Sequence, residues 1–430
     1  MHICFVSPRP SSSDGIFGVE PLRIPPLGLL ILASLTPDTV KVDVFDEHLE
    51  ELPDLSTYDL VGMTCSTAAS TRAYEIADHC KNLGVRVALG GCHPSLLPEE
   101  ALGHADFVFV GPAERTWPQF ISEFAADSAR RLYSDTKLGR LLNLPLPDFS
   151  KVARLAPRYG TMNVALSSLG CSHRCAFCTV YASSGIGFRP RPIEDVVRDL
   201  KPMSGQFVWF VDDNLYCNRE YALRLFRAIE PLQLTWLNQA SISIGHDLDT
   251  LVAAKRSGCI SLLIGLESLS ARSLRASRKT CNVPDEYRSC VDAIRGEGIG
   301  VEAAFIFGFD EEDEGVFETT LGFCYDADVE LAHFSILTPF PGTSFYARCL
   351  REERLLKQEW RYFDGFHVVF KPALMSAERL LRGFREAYQE FYRPEAIARR
   401  RRRAVQPAWY FSAINRDYGV LGRSADSGGG

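Results

Sequence analysis

Along the first 125 residues, short apolar runs alternate with amphipathic stretches. His2 to Val6, Lys41 to Phe45, Leu60 to Thr64, Val85 to Leu89 and Phe107 to Val110 are each about one strand long and rich in Val, Leu, Phe and Ile. Runs of that kind suit strands buried on both faces. Helical spacing fills the intervals, and this alternation predicts a doubly wound parallel sheet with helices on both sides. Ligands of such sheets sit outside the carboxyl ends of the strands. The loops expected there are small and rich in Gly and Pro: Ser7 to Pro10, Cys65 to Ala68, Gly90 to Ser95 and Gly111 to Glu114.

From Asn163 a second alternation begins. Strands are expected at Val164 to Ser168, Phe207 to Val211, Leu234 to Gln239, Ser261 to Gly265, Glu302 to Gly308 and His333 to Leu337. Between them lie helical segments such as Glu194 to Lys201, Arg219 to Ile229 and Leu248 to Ser257. Six strand and helix units fit a partial (β/α)6 TIM-type barrel, whose chemistry belongs at the carboxyl ends of its strands. Past residue 346 the pattern turns helical, with Leu380, Phe384, Tyr388 and Phe391 at helical spacing. The organisation expected is therefore α/β: a Rossmann-like domain over 1–125, a Pro-containing linker over 126–160, a barrel over 161–345 and a helical region over 346–430. Ser424 to Gly430 reads as a disordered tail.

Composition narrows the class. With 46% hydrophobic and 11% aromatic residues, the 430-residue chain can bury large cores. A formal net charge of -7 gives no ground to expect nucleic acid. The longest apolar run near the N-terminus, Ile24 to Leu35, contains two prolines and falls short of the roughly 20 residues that span a bilayer. No secretory signal pattern is evident, so a soluble cytoplasmic enzyme is expected. Arg399 to Arg403 reads as a solvated face or an anion-binding run, and Arg189 with Arg191 as carboxylate partners or solvated charges.

The chemistry concentrates in Cys171-Ser-His-Arg-Cys175-Ala-Phe-Cys178. Three thiolates on one tight loop suit a four-iron cluster with one iron left open. A structural zinc site would normally recruit a fourth ligand, and none lies nearby in sequence. The other cysteines are scattered and read as reduced, mostly buried thiols. The loop follows the first expected barrel strand directly.

The spacing, with Phe177 before the last cysteine, resembles the signature of radical S-adenosylmethionine (radical SAM) enzymes. That resemblance implies a [4Fe-4S] cluster on Cys171, Cys175 and Cys178, with S-adenosyl-L-methionine on the open iron. It also implies strand-end contacts to that cofactor or the substrate from Phe177, Asp212, Asp213, Gln239, Ser241, Glu267, Gly308 and Phe340. Glu267 would meet the ribose hydroxyls.

The first domain is similar to the cobalamin-binding domain that precedes many of these barrels. The likeness rests on Pro25 to Leu30, Tyr58 to Gly62, Gly90-Gly91 with His93-Pro94, Pro98 to Ala101, Ala105-Asp106, and the loop Gly111 to Glu114, where Pro112 departs from the usual Glu. It implies cobalamin contacts from Ser66, Thr67, Gly90, Gly91 and Glu114. Neither His48 nor His93 is expected to ligate cobalt. The implied activity is reductive cleavage of S-adenosylmethionine and methylation of an unactivated carbon of a small-molecule substrate, fed by an external electron donor such as flavodoxin or ferredoxin. A radical rearrangement, cyclisation or oxidation without methyl transfer is the alternative. A non-catalytic cobalamin sensor or iron–sulfur carrier is the alternative of another class.

Overall fold

The computed structural model describes residues 1–10, 23–135, 144–185, 187–405 and 407–424. The tail expected to be disordered lies, apart from Ser424, outside the described residues, as does part of the expected linker. In chain order the first unit runs β1 (His2–Ser7), α1 (Leu27–Leu35), β2 (Lys41–Asp46), β3 (Leu60–Thr64), α2 (Ser70–Asn82), β4 (Arg86–Gly90), α3 (Cys92–Leu96), α4 (Pro98–His104), β5 (Phe107–Val110), α5 (Trp117–Ala125) and β6 (Leu132–Ser134). All its strands pair in parallel, in the order β2-β1-β3-β4-β5-β6. The order reverses beside β1, and each face carries its own apolar layer, one around Val61, Ala73 and Leu89, the other around Phe5, Trp117 and Phe120. This doubly wound sheet is the one the alternating pattern predicts.

The segment read as an extended connector does more than connect. Leu132–Ser134 adds the sixth strand, and the 3-10 helix Phe149–Arg158 packs Val152 and Leu155 onto the first sheet's core. A three-residue edge strand and an irregular helix carry too short a period to stand out in sequence.

The second unit contains β7 (Val164–Ala165), β8 (Ser168–Leu169), α6 (Thr179–Ser184), β9 (Arg189–Pro190), α7 (Ile193–Leu200), β10 (Phe207–Phe210), α8 (Arg219–Ile229), β11 (Thr235–Ala240), α9 (Leu248–Arg256), β12 (Cys259–Glu267), α10 (Ala271–Ala276), α11 (Tyr287–Gly296), β13 (Gly300–Phe307), α12 (Val316–Asp326), β14 (Leu331–Ile336) and α13 (Ser344–Arg351). Its six parallel strands lie in sequential order from β7 to β14, the arrangement of an open, partial barrel. The outer strand faces bury Trp236, Ile264 and Phe305 with Phe226, Tyr287 and Val291 of the helices.

The first barrel strand is shorter than the expected Val164 to Ser168. It pairs with β10 only through Val164 and Ala165, after which Ser168 and Leu169 pair antiparallel with Pro190 and Arg189. The cause is polar: the hydroxyls of Ser167 and Ser168 and the Ser167 N–H all donate to the buried Asp212 carboxylate, which draws the chain off the sheet.

The C-terminal region, α14 (Ala377–Phe391), α15 (Pro394–Arg401) and α16 (Ala408–Ser424), completes the barrel. An open barrel leaves an edge strand with unpaired backbone groups, and α14 supplies partners for them. The Tyr388 hydroxyl bonds both the N–H (3.1 Å) and the C=O (2.9 Å) of Phe334, and Tyr392 does the same for Ala332 (3.1 and 2.8 Å). Helix α16 crosses the far end: Trp409 stacks edge-on against Phe207, Phe411 lies against Gly300, and Tyr410 donates to Glu302. The arginine run is a mostly solvated face, with Arg399, Arg401, Arg402 and Arg403 exposed, but two of its members also make structural contacts. Arg400 is buried over the Phe391 ring (3.7 Å) and donates to Asn415, while Arg403 pairs with Asp328 (3.0 Å).

Candidate active site between two sheets

The antiparallel pair β8–β9 closes the base of the loop that carries the three cysteines. Gly170, at φ +81°, begins it, and a Cβ there would meet the Gly187 carbonyl oxygen at 2.4 Å. Only glycine permits that crossing. Cys175 is buried, whereas Cys171 and Cys178 are half-buried. Cys178 is also the N-cap of α6; burial raises its thiol, and the backbone N–H groups of Val180 and Tyr181 oppose that shift.

The turn after β10 holds the start of the loop. Asp213 accepts from the Gly170 N–H at 2.7 Å. Asn214 reaches Cys171 Sγ at 3.7 Å and is fixed by Ser241, donating to its Oγ at 2.6 Å and accepting from its N–H at 3.1 Å. Cys217 Sγ lies 3.7 Å from Cys171 Sγ. Hydrogen bonding from Cys217 holds Cys171 toward the thiolate, and the same contact, with burial, keeps Cys217 protonated.

Across the loop, Glu267 ends β12 at a bulge with φ +65°, a conformation costly for a non-glycine residue and frequent at ligand sites. Its Oε1 is 2.8 Å from Lys279 Nζ. Burial disfavours charge on Lys279, but Glu267 overrides it and keeps the ammonium charged. Glu312, a further buried carboxylate, accepts from Ser268 Oγ (2.5 Å) and from the N–H groups of Gly308 (3.1 Å) and Phe309 (3.2 Å), tying the ends of β12 and β13 together. Burial pushes its carboxyl up to about 7. A cavity of about 400 Å³ opens beside Ala176 and Phe177, lined also by Phe309, Leu337 and Arg348.

The structure sorts the residues singled out from sequence. Glu267, Asp213, Ser241 and the three cysteines gather around the loop. Phe177 packs edge-on against Phe309 at 5.8 Å, and Gln239 projects, exposed, from the inner face of β11. Phe340 is half-buried in the turn after β14. Asp212 is not available to a ligand: fully buried, it is consumed by Ser167, Ser168 and Asn238, and burial raises its carboxyl. Gly308, at φ +105°, has its Cβ direction filled by Leu380 of α14, so its close neighbour is the C-terminal helix. Arg191 is a buried partner of Asp199 (2.6 Å). Sequence reasoning missed Cys217, Lys279 and Glu312. Asn214 stood in the quoted turn, but its role depends on where Ser241 lies.

The first sheet turns its own strand ends toward this loop. Helix α3 packs on α6, Leu96 approaches Gly342, and Trp360 Nε1 donates to Glu100 at 2.9 Å. A slot of about 160 Å³ opens among Phe5, Gly28, Gly62, Gly91, Trp117 and Glu114. Glu114 Oε2 is buried there without a hydrogen-bond partner among the described residues, and burial raises its carboxyl against the pull of Arg189. At Gly91 (φ +97°) a Cβ would meet Thr64 Oγ1 at 2.7 Å. Ser66 is exposed and is not among the residues lining the slot, Gly90 lines it, and the Thr67 hydroxyl turns inward toward His93 Nδ1 (3.4 Å). His93 is itself buried, with Nε2 on Glu100 at 3.1 Å, which leaves it no free nitrogen for a metal. An orphaned buried carboxyl, an apolar slot and glycine-rich strand ends fit a large amphipathic ligand such as cobalamin.

Two family models match the chain: the Radical SAM superfamily over residues 166–324 and the B12 binding domain over 15–121. Bacteriochlorophyllide d C-12(1)-methyltransferase of Chlorobaculum tepidum is 30% identical over 385 residues, covering 87% of this chain and 84% of that protein. Hopanoid C-2 methylase of Rhodopseudomonas palustris is 25% identical, covering 93% and 78%. Among solved structures, the cobalamin-dependent radical enzyme OxsB superposes with a TM-score of 0.67 at 12% identity over 98% of this chain and 71% of that chain. TsrM of Kitasatospora setae superposes with 0.65 at 16% identity over 82% and 78%. These superpositions speak to the fold.

Proposed function

Because the chain belongs to the radical SAM family whose members carry a B12-binding domain ahead of the barrel, we propose that it methylates an unactivated carbon of an apolar, ring-bearing small molecule. The observation that carries this reading is the opposition of two sets of strand ends: the cysteine loop on one side, the glycine-rich slot on the other, joined through α3 and α6.

Cys171, Cys175 and Cys178 would hold the [4Fe-4S] cluster. Glu267, paired with Lys279, would accept hydrogen bonds from a ribose diol, and Phe177 with Phe309 would offer aromatic walls to the adenine. The slot with Glu114, Gly90 and Gly91 takes part of the cobalamin. When bound, the cluster and S-adenosylmethionine supply the 5′-deoxyadenosyl radical, and cobalamin carries the methyl group. The chain's own contribution is to orient both and exclude water between them.

The barrel's inner face indicates the substrate class. Along β10, β12 and β13 the positions facing the lumen, Trp209, Leu263, Ala304 and Ile306, stay partly exposed while their outward neighbours are buried. A partly exposed apolar wall inside a barrel suits a flat, apolar substrate. The names of the two relatives, a bacteriochlorophyllide methyltransferase and a hopanoid methylase, agree with that class. No helix among the described residues is long and apolar enough to cross a membrane. We place the protein in the cytoplasm, reduced by an external donor such as flavodoxin or ferredoxin.

Anaerobically reconstituted, reduced protein should convert S-adenosylmethionine to 5′-deoxyadenosine, and Cys175→Ala should abolish this. With a chlorin or hopanoid substrate, S-adenosylhomocysteine should appear together with deoxyadenosine. Deoxyadenosine without S-adenosylhomocysteine would replace methylation by rearrangement or oxidation, and absence of both products would sink the assignment.

A further inference from the structure

The three cluster cysteines are not equivalent. Burial raises the Cys175 thiol, with Lys279 opposing, and Cys178 meets the backbone N–H groups of Val180 and Tyr181 at the start of α6. Cys171 is met by side chains. Cys217 and Asn214, three residues apart on the turn after β10, both bring a donor to 3.7 Å from its sulfur. That turn is rigid. Cys217 N–H donates to the Asn214 carbonyl (3.2 Å), Asn218 caps α8 through the Tyr221 N–H (2.9 Å), and Asn214 is fixed by Ser241. Ser172 Oγ donates to Cys217 Sγ at 3.7 Å, which occupies the Cys217 acceptor and leaves its S–H for Cys171.

Resting on the reading of Cys171 as a cluster ligand, we propose that Cys217 and Asn214 are positioning residues that donate hydrogen bonds to the Cys171 sulfur and thereby set the cluster's reduction potential. A donor at a ligand sulfur stabilises the added negative charge of the reduced cluster and raises its potential. Cys217 is thus a thiol in the cluster's surroundings, close to it and not among its ligands. Its neighbour on the turn, Asp213, fixes the backbone of Gly170, so one short segment both places the first ligand and tunes it.

The test is a redox titration of the reconstituted holoenzyme, read by the electron paramagnetic resonance of the reduced cluster, with iron and sulfide content as a control. Cys217→Val keeps the shape and removes the donor. Asn214→Asp keeps the shape and replaces the donor by a carboxylate. Both should lower the reduced-to-oxidised ratio about tenfold at a fixed applied potential, a shift of about 59 mV for a one-electron couple. Cys217→Ser, which retains a donor, should stay near the parent value. Should Cys217→Val fail to bind iron, the Asn214→Asp titration decides. Unchanged potentials in the loaded variants overturn the proposal, as does a Cys217→Ser shift equal to that of Cys217→Val, and so does failure of both donor-free variants to bind iron, which would make the turn a structural support. If the parent protein itself gives no reduced-cluster signal, the radical assignment falls instead, so the two failures are distinguishable.

Discussion

Glu312 is buried at the join of two strand ends, where two backbone N–H groups and one hydroxyl converge on a carboxyl that burial still pushes up to about 7. The unfolded chain loses this proton near 4.5, whereas the folded protein keeps it to about 7. Between those values the folded state binds more protons, so stability falls as pH rises through the window and is level above it. The gap corresponds to roughly 3 kcal/mol. Glu312→Gln preserves the acceptor for Gly308 and Phe309 and supplies a donor to Ser268. Its thermal midpoint should therefore gain on the parent's between pH 5 and pH 8, and a constant difference across that range would contradict the titration. At this scale the sequence was legible as position: the cysteine loop and Glu267 lie at the strand ends where the spacing and the resemblance put them. It was misleading where partners come from elsewhere. Asp212 and Asp213 are adjacent acidic residues in one motif, yet one is consumed by Ser167 and Ser168 and the other holds Gly170. Nothing in their own neighbourhood separates them.

Helix α14 shows how an element can serve a purpose that its periodicity does not announce. Leu380, Phe384, Tyr388 and Phe391 read as one apolar face and are buried as expected. The two tyrosine hydroxyls, one turn apart, act as the missing neighbour of edge strand β14. Tyr388→Phe or Tyr392→Phe removes almost no apolar area but leaves a buried N–H and C=O without a partner. Each should cost about 2–4 kcal/mol, read as a lower denaturant midpoint together with faster hydrogen exchange at the Phe334 or Ala332 amide. A loss below 0.5 kcal/mol (~the scale of an ordinary surface change) would show that water replaces the hydroxyl. Strands were legible in proportion to their length and burial. Leu60 to Thr64 and Phe107 to Val110 match the expected bounds, and helix Arg219–Ile229 does too. The two-residue pair β8–β9 and the edge strand β6 escaped, since so few residues establish no period.

For the whole molecule, the domain order and the facing strand ends follow from alternation patterns and two sets of loops, but the contact between the units does not. It is made by α3, which begins just after Gly91, and α6, which begins just after Cys178. One helix starts at the slot, the other at the cysteine loop, and they touch along their lengths, with Trp360 and Glu100 as a second tie. Across that contact the two loading events are expected to be coupled. Whatever factor cluster assembly adds to cobalamin affinity, bound cobalamin must return to cluster retention, because the coupling free energy belongs to the pair. A coupling of about 1–3 kcal/mol, or roughly 5- to 150-fold, is typical of such linkage. Cobalamin titrations with and without cluster, and chelator removal of iron at equilibrium with and without cobalamin, should return the same ratio. Equal affinities in the first pair would mean that the helices merely lie side by side. If the ratio is large, the protein is a cooperative device in which neither cofactor is held firmly alone, so that a radical is generated only in molecules already equipped to use it.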